Sequence, residues 1–388
     1  MVVVVASIYG RHASGREWYL EQDSHLQANG YKPGIHEPNI YIYEDDAGTR
    51  GAVGLFTDDY IHGRIFGEED EGEHFKQTMS KKYKIKDFGE LRTMLGIDVQ
   101  YTGDHSAVFL SQRELVMECW SIVGEHAKRR NTYTVPMDVN GSNICMESDL
   151  LDAELRGVYV TVVGKLLYVA KNTRPDVCFA VGILARCNRK PTVHNFAALV
   201  RLCKYLVDTV DVGLQYKNSP RDGPHRVTVW ADASFGDCIE TGRSTGGYLI
   251  FVDHCLVDWR SKRSQSVCLS TVQAELHHLV EAVRQGLWVQ AVLGEIVGED
   301  QVDKVVLCKT DSKSLVDSLK AGRPSDRARQ YRVELSIMQE WLAAGDITVE
   351  HVPGSEQLAD ITTKALARPQ FTAIRGALMH TEVQAVSQ

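Results

Sequence analysis

One feature of this chain leaves few folds open: the order of strand-like and helix-like runs in its second half. After the turn-rich stretch "KNSPRDGPH" at 217–225, "RVTVWADASF", "GGYLIFVD" and "CLVDWRSK" read as three consecutive strands. A long helix follows, over about residues 271–296. Then come strand "KVVLCKTD", helices "SKSLVDSLK" and "YRVELSIMQEWLAAG", strand "DITVEHV" and a last helix near residues 356–365. Three meandering strands followed by intermixed helices and strands predict a mixed α/β sandwich. The long helix carries Val272, Leu276, Leu279, Val280, Val283 and Leu287 as one apolar stripe. Ser270 with Gln273 predicts a capping box at its start. Glu275 lies at the edge of that stripe, where an unpaired carboxylate costs free energy.

Three more acids in the same region fall where elements begin or end. Asp232 is within the first strand, Asp311 ends the fourth strand, and Asp360 is in the final helix. Each alone fits a turn, a cap or a surface position. With Glu275 they match a site for two divalent ions, Mg²⁺ or Mn²⁺, that hydrolyses a phosphodiester. Hard cations take several carboxylates, and acids that close repel one another without them.

The formal charge of -8 and a pI near 6.0 exclude a broadly basic nucleic-acid binder. Such binding must come from a local patch or through metal ions. Residues 171–226 offer one, with ten Lys or Arg against four Asp. Within it Arg174, Arg186, Arg189, Lys190, Arg201 and Lys204 are candidates to track phosphates. Nine cysteines without a C-x-x-C pair read as free thiols in a reducing compartment. No apolar run reaches a membrane span, so an intracellular protein with no membrane partner is expected.

The first half alternates less regularly. It opens in a strand-like run at 2–5, followed by a helix over 16–28. "NIYIY" and "GAVGLF" read as strands, with Asp58 and Asp59 at a hairpin tip. The acidic run at 68–73 reads as a solvated lead into a helix at 74–82. A polar loop spans 128–147, helices fill 149–216, and a weakly ordered tail starts near residue 368.

"ADASFGD", "STVQAELHHLVEA", "KTDSKSL" and "HVPGSEQLADITTKALARPQF" resemble the ribonuclease H domain of copia-type LTR retrotransposons, over about residues 226–371. The resemblance implies that Asp232, Glu275, Asp311 and Asp360 are the catalytic, metal-binding acids. Gln273 and Ala365 depart from the family pattern at positions that hold no metal. His351 lies in the loop where related domains place an auxiliary histidine. Upstream, "SIYGRHASGREWY", "LFTDDYIHG", "KIKDFGELRTMLGIDVQY", "LSQREL" and "GKLLYVAKNTRPDVCFAVGILAR" resemble the reverse transcriptase of the same element, in order. "DD" at Asp58 and Asp59 matches its metal-binding hairpin. The family's partner acid lies on an earlier palm strand, and the only acids before Ile40 are Glu17, Glu21, Asp23 and Glu37. The pattern's "LKQ" is Arg11, His12 and Ala13 here, so a nucleotide-pocket Gln is missing.

The resemblance thus implies a C-terminal piece of a Pol polyprotein: a partial palm at 1–110, a helical thumb or connection at 111–222, an RNase H-like mixed-sheet domain at 223–366 and a tail at 367–388. Its expected activity is cleavage of RNA in RNA–DNA hybrids, in a cytoplasmic virus-like particle or the nucleus. Two alternatives stay open. One is an RNA-directed DNA polymerase active only in a longer chain or with a second chain; the other is a non-catalytic nucleic-acid-binding relic.

Overall fold

In a computed structural model, the described residues are 14–46, 50–66, 71–126, 132–139, 148–217, 222–321 and 330–381. The expected strand at 2–5, the "SIYGRH" run and most of the acidic run lie outside them. The chain separates into two compact units, one of residues 1–91 with 287–302, the other of 92–286 with 303–388.

In the first unit, helix α1 (Ser14–Gln27) precedes a four-stranded antiparallel meander. Its strands are β1 (Lys32–Pro33), β2 (Ile40–Glu44), β3 (Arg50–Phe56) and β4 (Asp59–Phe66). Helix α2 (Glu71–Ser80) follows. Burial alternates along β3, with Gly51, Val53 and Leu55 inward, which is the period of a half-buried strand. Val53 and Leu55 pack with Leu26 of α1 and with Phe75 and Met79 of α2. The β3–β4 tip is tied to α1, because Trp18 Nε1 and Gln22 Nε2 both donate to the carbonyl of Thr57, at 3.0 and 3.2 Å. Asp58 and Asp59 stand next to that anchor and are exposed.

The second unit begins with β5 (Thr93–Met94), β6 (Ile97–Tyr101), β7 (Ala107–Ser111) and helix α3 (Arg113–Val123). A helical layer follows: α4 (Ala153–Asn172), α5 (Cys178–Arg186) and α6 (Val193–Asp208). Its ends are capped as their sequences dictate. Asp152 accepts from Leu155 N at 2.8 Å, and Thr192 with Asn195 forms a reciprocal capping box before α6. Strand β8 (Val212–Lys217) returns to pair with β7.

The mixed sheet is built from β9 (Val227–Ser234), β10 (Thr245–Val252), β11 (Cys255–Arg263), β12 (Val306–Thr310) and β13 (Ile347–His351). The strand order is β11-β10-β9-β12-β13. The first three strands are antiparallel, while β12 runs parallel to both β9 and β13. Helices α7 (Thr271–Val297), α8 (Lys313–Lys320), α9 (Arg332–Ala344) and the single turn α10 (Asp360–Thr363) are interleaved with the strands. The α/β class is that of the chain, and from residue 226 the elements come in the expected order, whereas the run expected to be helical to 216 ends in strand β8. Ser270 Oγ accepts from Gln273 N as a cap should, but the Gln273 side chain bonds the amide of Leu269 rather than that of Ser270. The last helix is shorter than expected.

Two expectations are corrected here. Residues 368–381 are not a loose tail: α11 (Arg368–Leu378) buries Phe371, Ile374 and Leu378, and β14 (His380–Thr381) pairs with β8. Phe371, Ile374 and Leu378 fall at helical spacing, a stripe of only three large apolar residues. Nor does the second unit divide at 217–225. Val116, Leu166, Leu199, Leu249, Trp259, Ile361 and Phe371 belong to one continuous core, which joins the helical layer to the outer side of the mixed sheet. Trp259 Nε1 donates to the Ala170 carbonyl at 2.7 Å, and Tyr216 Oη to the Leu256 carbonyl at 3.0 Å, across the expected boundary.

Candidate active site

Parallel pairing of β9 with β12 brings the first two acids together. Leu307 stands opposite Thr228 and Lys309 opposite Trp230, so the same offset carried two residues on sets Asp311 beside Asp232. The third acid arrives with the segment after β13. Gln357 is fully buried, and its Nε2 donates to the Ala231 carbonyl at 2.9 Å. Its Oε1 accepts from Ala359 N at 3.2 Å, which starts the turn that carries Asp360. Carboxylate oxygens of Asp232, Asp311 and Asp360 then lie within 4.8 Å of one another.

Donors from neighbouring residues orient this group. The Thr363 hydroxyl donates to Asp232 Oδ2, and Gln370 Nε2 on α11 donates to Asp360 Oδ2 at 2.8 Å. Two glycines on β10 let the helices come close enough. A Cβ on Gly246 would run into the His278 ring of α7. A Cβ on Gly247 would strike Thr362 of α10 and come within 2.6 Å of the Arg260 carbonyl. Thr363 and Gln370 were not singled out from the sequence. Only their position beside Asp360 in "ADITTKALARPQ" pointed to them.

Glu275 is 7% exposed in the second turn of α7. It stands outside the 4.8 Å group, yet its surroundings belong to that group. Burial pushes its carboxyl up to about 9, and the charges of Asp232 and Asp311 push the same way. Asp360 is also raised, by burial and then by the charge of Asp232. Its Oδ1 is buried, and the charged Nζ of Lys364 stands 2.7 Å from it. Buried carboxylates that crowd one another and draw in a cation are chemistry that suits a hard cation. Asp232, Asp311, Asp360 and Glu275 are the residues that fit one.

The other sequence candidates are placed elsewhere. Among the described residues, Asp58 and Asp59 join no such cluster. His351 is exposed at the end of β13, paired in register with Thr310. Ser312 takes the N-cap position of α8 without a side-chain capping bond. Most of the basic patch is committed to internal partners. Arg174 is 3% exposed and is held by both oxygens of Asp176, at 2.9 and 2.8 Å, with Tyr205 Oη on the same carboxylate. A guanidinium so enclosed cannot touch a phosphate, which corrects the expectation for this residue. Arg186 bonds Thr245 Oγ1 at 2.8 Å and faces Asp237. Arg201 pairs with Asp138, and Lys204 with Asp208. Arg189 and Lys190 are exposed.

With this geometry in hand, similarity to known proteins is informative. The family model "Reverse transcriptase (RNA-dependent DNA polymerase)" matches residues 2–137. The chain is 26% identical over 373 residues to the Retrovirus-related Pol polyprotein from transposon TNT 1-94 of Nicotiana tabacum, covering 94% of this chain and 27% of that protein. It is 25% identical over 372 residues to the corresponding polyprotein from transposon RE1 of Arabidopsis thaliana, covering 94% and 24%. The chain thus spans about a quarter of the length of these curated relatives. Among solved structures, RNase H1 from Halobacterium salinarum is similar at 18% identity and a TM-score of 0.27, over 36% of this chain and 94% of that one. A score that low decides nothing about the fold, which rests on the strand order above. Both polyproteins match across nearly the whole chain, which is thus similar throughout to retrotransposon Pol polyproteins and, over residues 2–137, to reverse transcriptases.

Proposed function

We propose that the second unit hydrolyses the RNA strand of an RNA–DNA hybrid, as the ribonuclease H of a retrotransposon Pol protein. The observation that carries this reading is the convergence of Asp232, Asp311 and Asp360 within 4.8 Å, with buried Glu275 in their field. Divalent cations bound there, two Mg²⁺ or Mn²⁺ in this reading, would make water a nucleophile and stabilise the departing 3′ oxygen. The chain's own part is positioning. Strands β9 and β12 fix Asp232 and Asp311 on a rigid sheet, Gln357 sets the turn that bears Asp360, and Thr363 and Gln370 orient the carboxylates. Glu275 enters from the helix on a different side. An A-like hybrid would be recognised by shape and by its 2′-hydroxyls, with Arg189 and Lys190 as exposed phosphate contacts. His351 is assigned an auxiliary role near the products. Products should carry a 5′ phosphate and a 3′ hydroxyl.

A second reading is favoured by the first unit. Asp58 and Asp59 on the anchored β3–β4 tip suit RNA-directed DNA polymerisation by a longer chain. The test is Mg²⁺-dependent cleavage of a labelled RNA–DNA hybrid by the purified chain beside Glu275→Gln. Cleavage by the wild type that the substitution reduces about 100-fold or more, as loss of an essential metal-site acid should, supports the hydrolase. A folded wild type that leaves the hybrid intact removes it, and a nucleic-acid-binding relic then takes its place.

A further inference from the structure

The acid cluster already holds a cation of the chain's own. Lys364 lies one turn past Asp360, with Nζ 2.7 Å from Asp360 Oδ1 and 3.5 Å from Asp232 Oδ2. Its side chain is 41% exposed, whereas those of Asp360 and Asp232 are 7% and 2% exposed. The lysine therefore reaches in from the solvent side, and its stem has room to swing out.

The way it is held matters. The contact between Lys364 Nζ and Asp360 Oδ1 is a single charge-assisted one at hydrogen-bond distance. Gln370 uses the other oxygen of that carboxylate, and Thr363 supports Asp232; both are neutral donors that another cation would leave in place. Two carboxylates, Asp232 and Asp360, thus attract this one ammonium. A second cation cannot occupy the same oxygens beside it, because like charges at that separation repel strongly in a half-buried site.

We propose that Lys364 is the resident counter-ion of the acid cluster, and that a divalent cation enters by displacing its ammonium. Lys364 thereby sets the cation concentration at which the site fills. This rests on the metal-site reading above and adds to it a competitor within the chain. Lysine suits such a role, being a point charge on a flexible stem that can leave without breaking a fork of bonds.

The test is Mn²⁺ uptake by the full chain, read from the spin-resonance signal of the free ion, with no nucleic acid present. Lys364→Gln, with Lys364→Met as a second neutral variant, should bind Mn²⁺ roughly three- to tenfold more tightly, the scale of a lost competing ion pair. Lys364→Arg keeps the charge and should stay near the wild type. Asp232→Asn should abolish uptake. In EDTA, Lys364→Gln should lower the melting midpoint, and by less in an Asp232→Asn background. Equal or weaker Mn²⁺ binding by both neutral variants, with Asp232→Asn still abolishing it, overturns the displacement and leaves the metal site standing. No uptake by the wild type or by either neutral variant overturns the metal site, and displacement falls with it.

Discussion

At the scale of single residues, the chemistry is decided by charge in a confined space. Glu275 holds its proton to about 9 in the folded, metal-free protein, against an ordinary value of 4.5. Between those values the folded state binds more protons than the unfolded chain, so stability must fall as pH rises through that window. Melting midpoints in EDTA should therefore decline from about pH 5 to about pH 9, and saturating Mg²⁺ should flatten the decline. Glu275→Gln should flatten it without metal. An EDTA profile with the same slope in the wild type and the variant would show that Glu275 does not feel its neighbours. Arg174 makes the opposite case, a buried charge paired with Asp176 and hydrogen-bonded to Thr209. Arg174→Leu leaves the buried Asp176 charge without its guanidinium partner and should cost about 3–5 kcal/mol in urea denaturation.

At the scale of elements, the site depends on how closely helices approach the sheet. β10 carries Gly246 and Gly247 side by side, one against His278 of α7 and the other against Thr362 of α10. Side chains alternate across a strand, so the pair opens both faces at the same level. Gly247→Ala should force α10 away from the sheet and cost about 1–3 kcal/mol, as overpacking does. The check is the urea midpoint together with Mn²⁺ uptake, since moving α10 moves Asp360 as well. A variant unchanged in both would show that this contact does not position the acid.

At the scale of the whole molecule, the helical layer and the mixed sheet of the second unit cannot be treated as separate domains. Leu249, Leu256 and Trp259 of the sheet share a core with Leu166, Ile183 and Leu199 of the helices. A piece cut to residues 223–388 would expose that face to water, and each large apolar side chain left there gives up about 1.5–3 kcal/mol. It should show no cooperative melt in calorimetry, or a midpoint far below that of the full chain. A piece that melted like the full chain would mean the shared core is only an accessory contact.

Much of this protein was legible in its sequence. Strand and helix periodicity, the Ser270 cap, the hairpin at Asp58 and Asp59, and the element order from residue 226 all depend on local pattern, which the chain carries in plain view. So do the four acids, because each sits at a marked place on an element. Other features depended on partners distant in sequence. Arg174, Arg186, Arg201 and Lys204 read as a free basic face, but the fold turned each toward an internal partner. The turn residues at 217–225 read as a domain boundary, yet apolar faces on either side close into one core. Composition records how many charges and apolar groups a chain has. Which of them meet is decided only when strand register and helix packing bring residues together, and Lys364 among the acids is set by that alone.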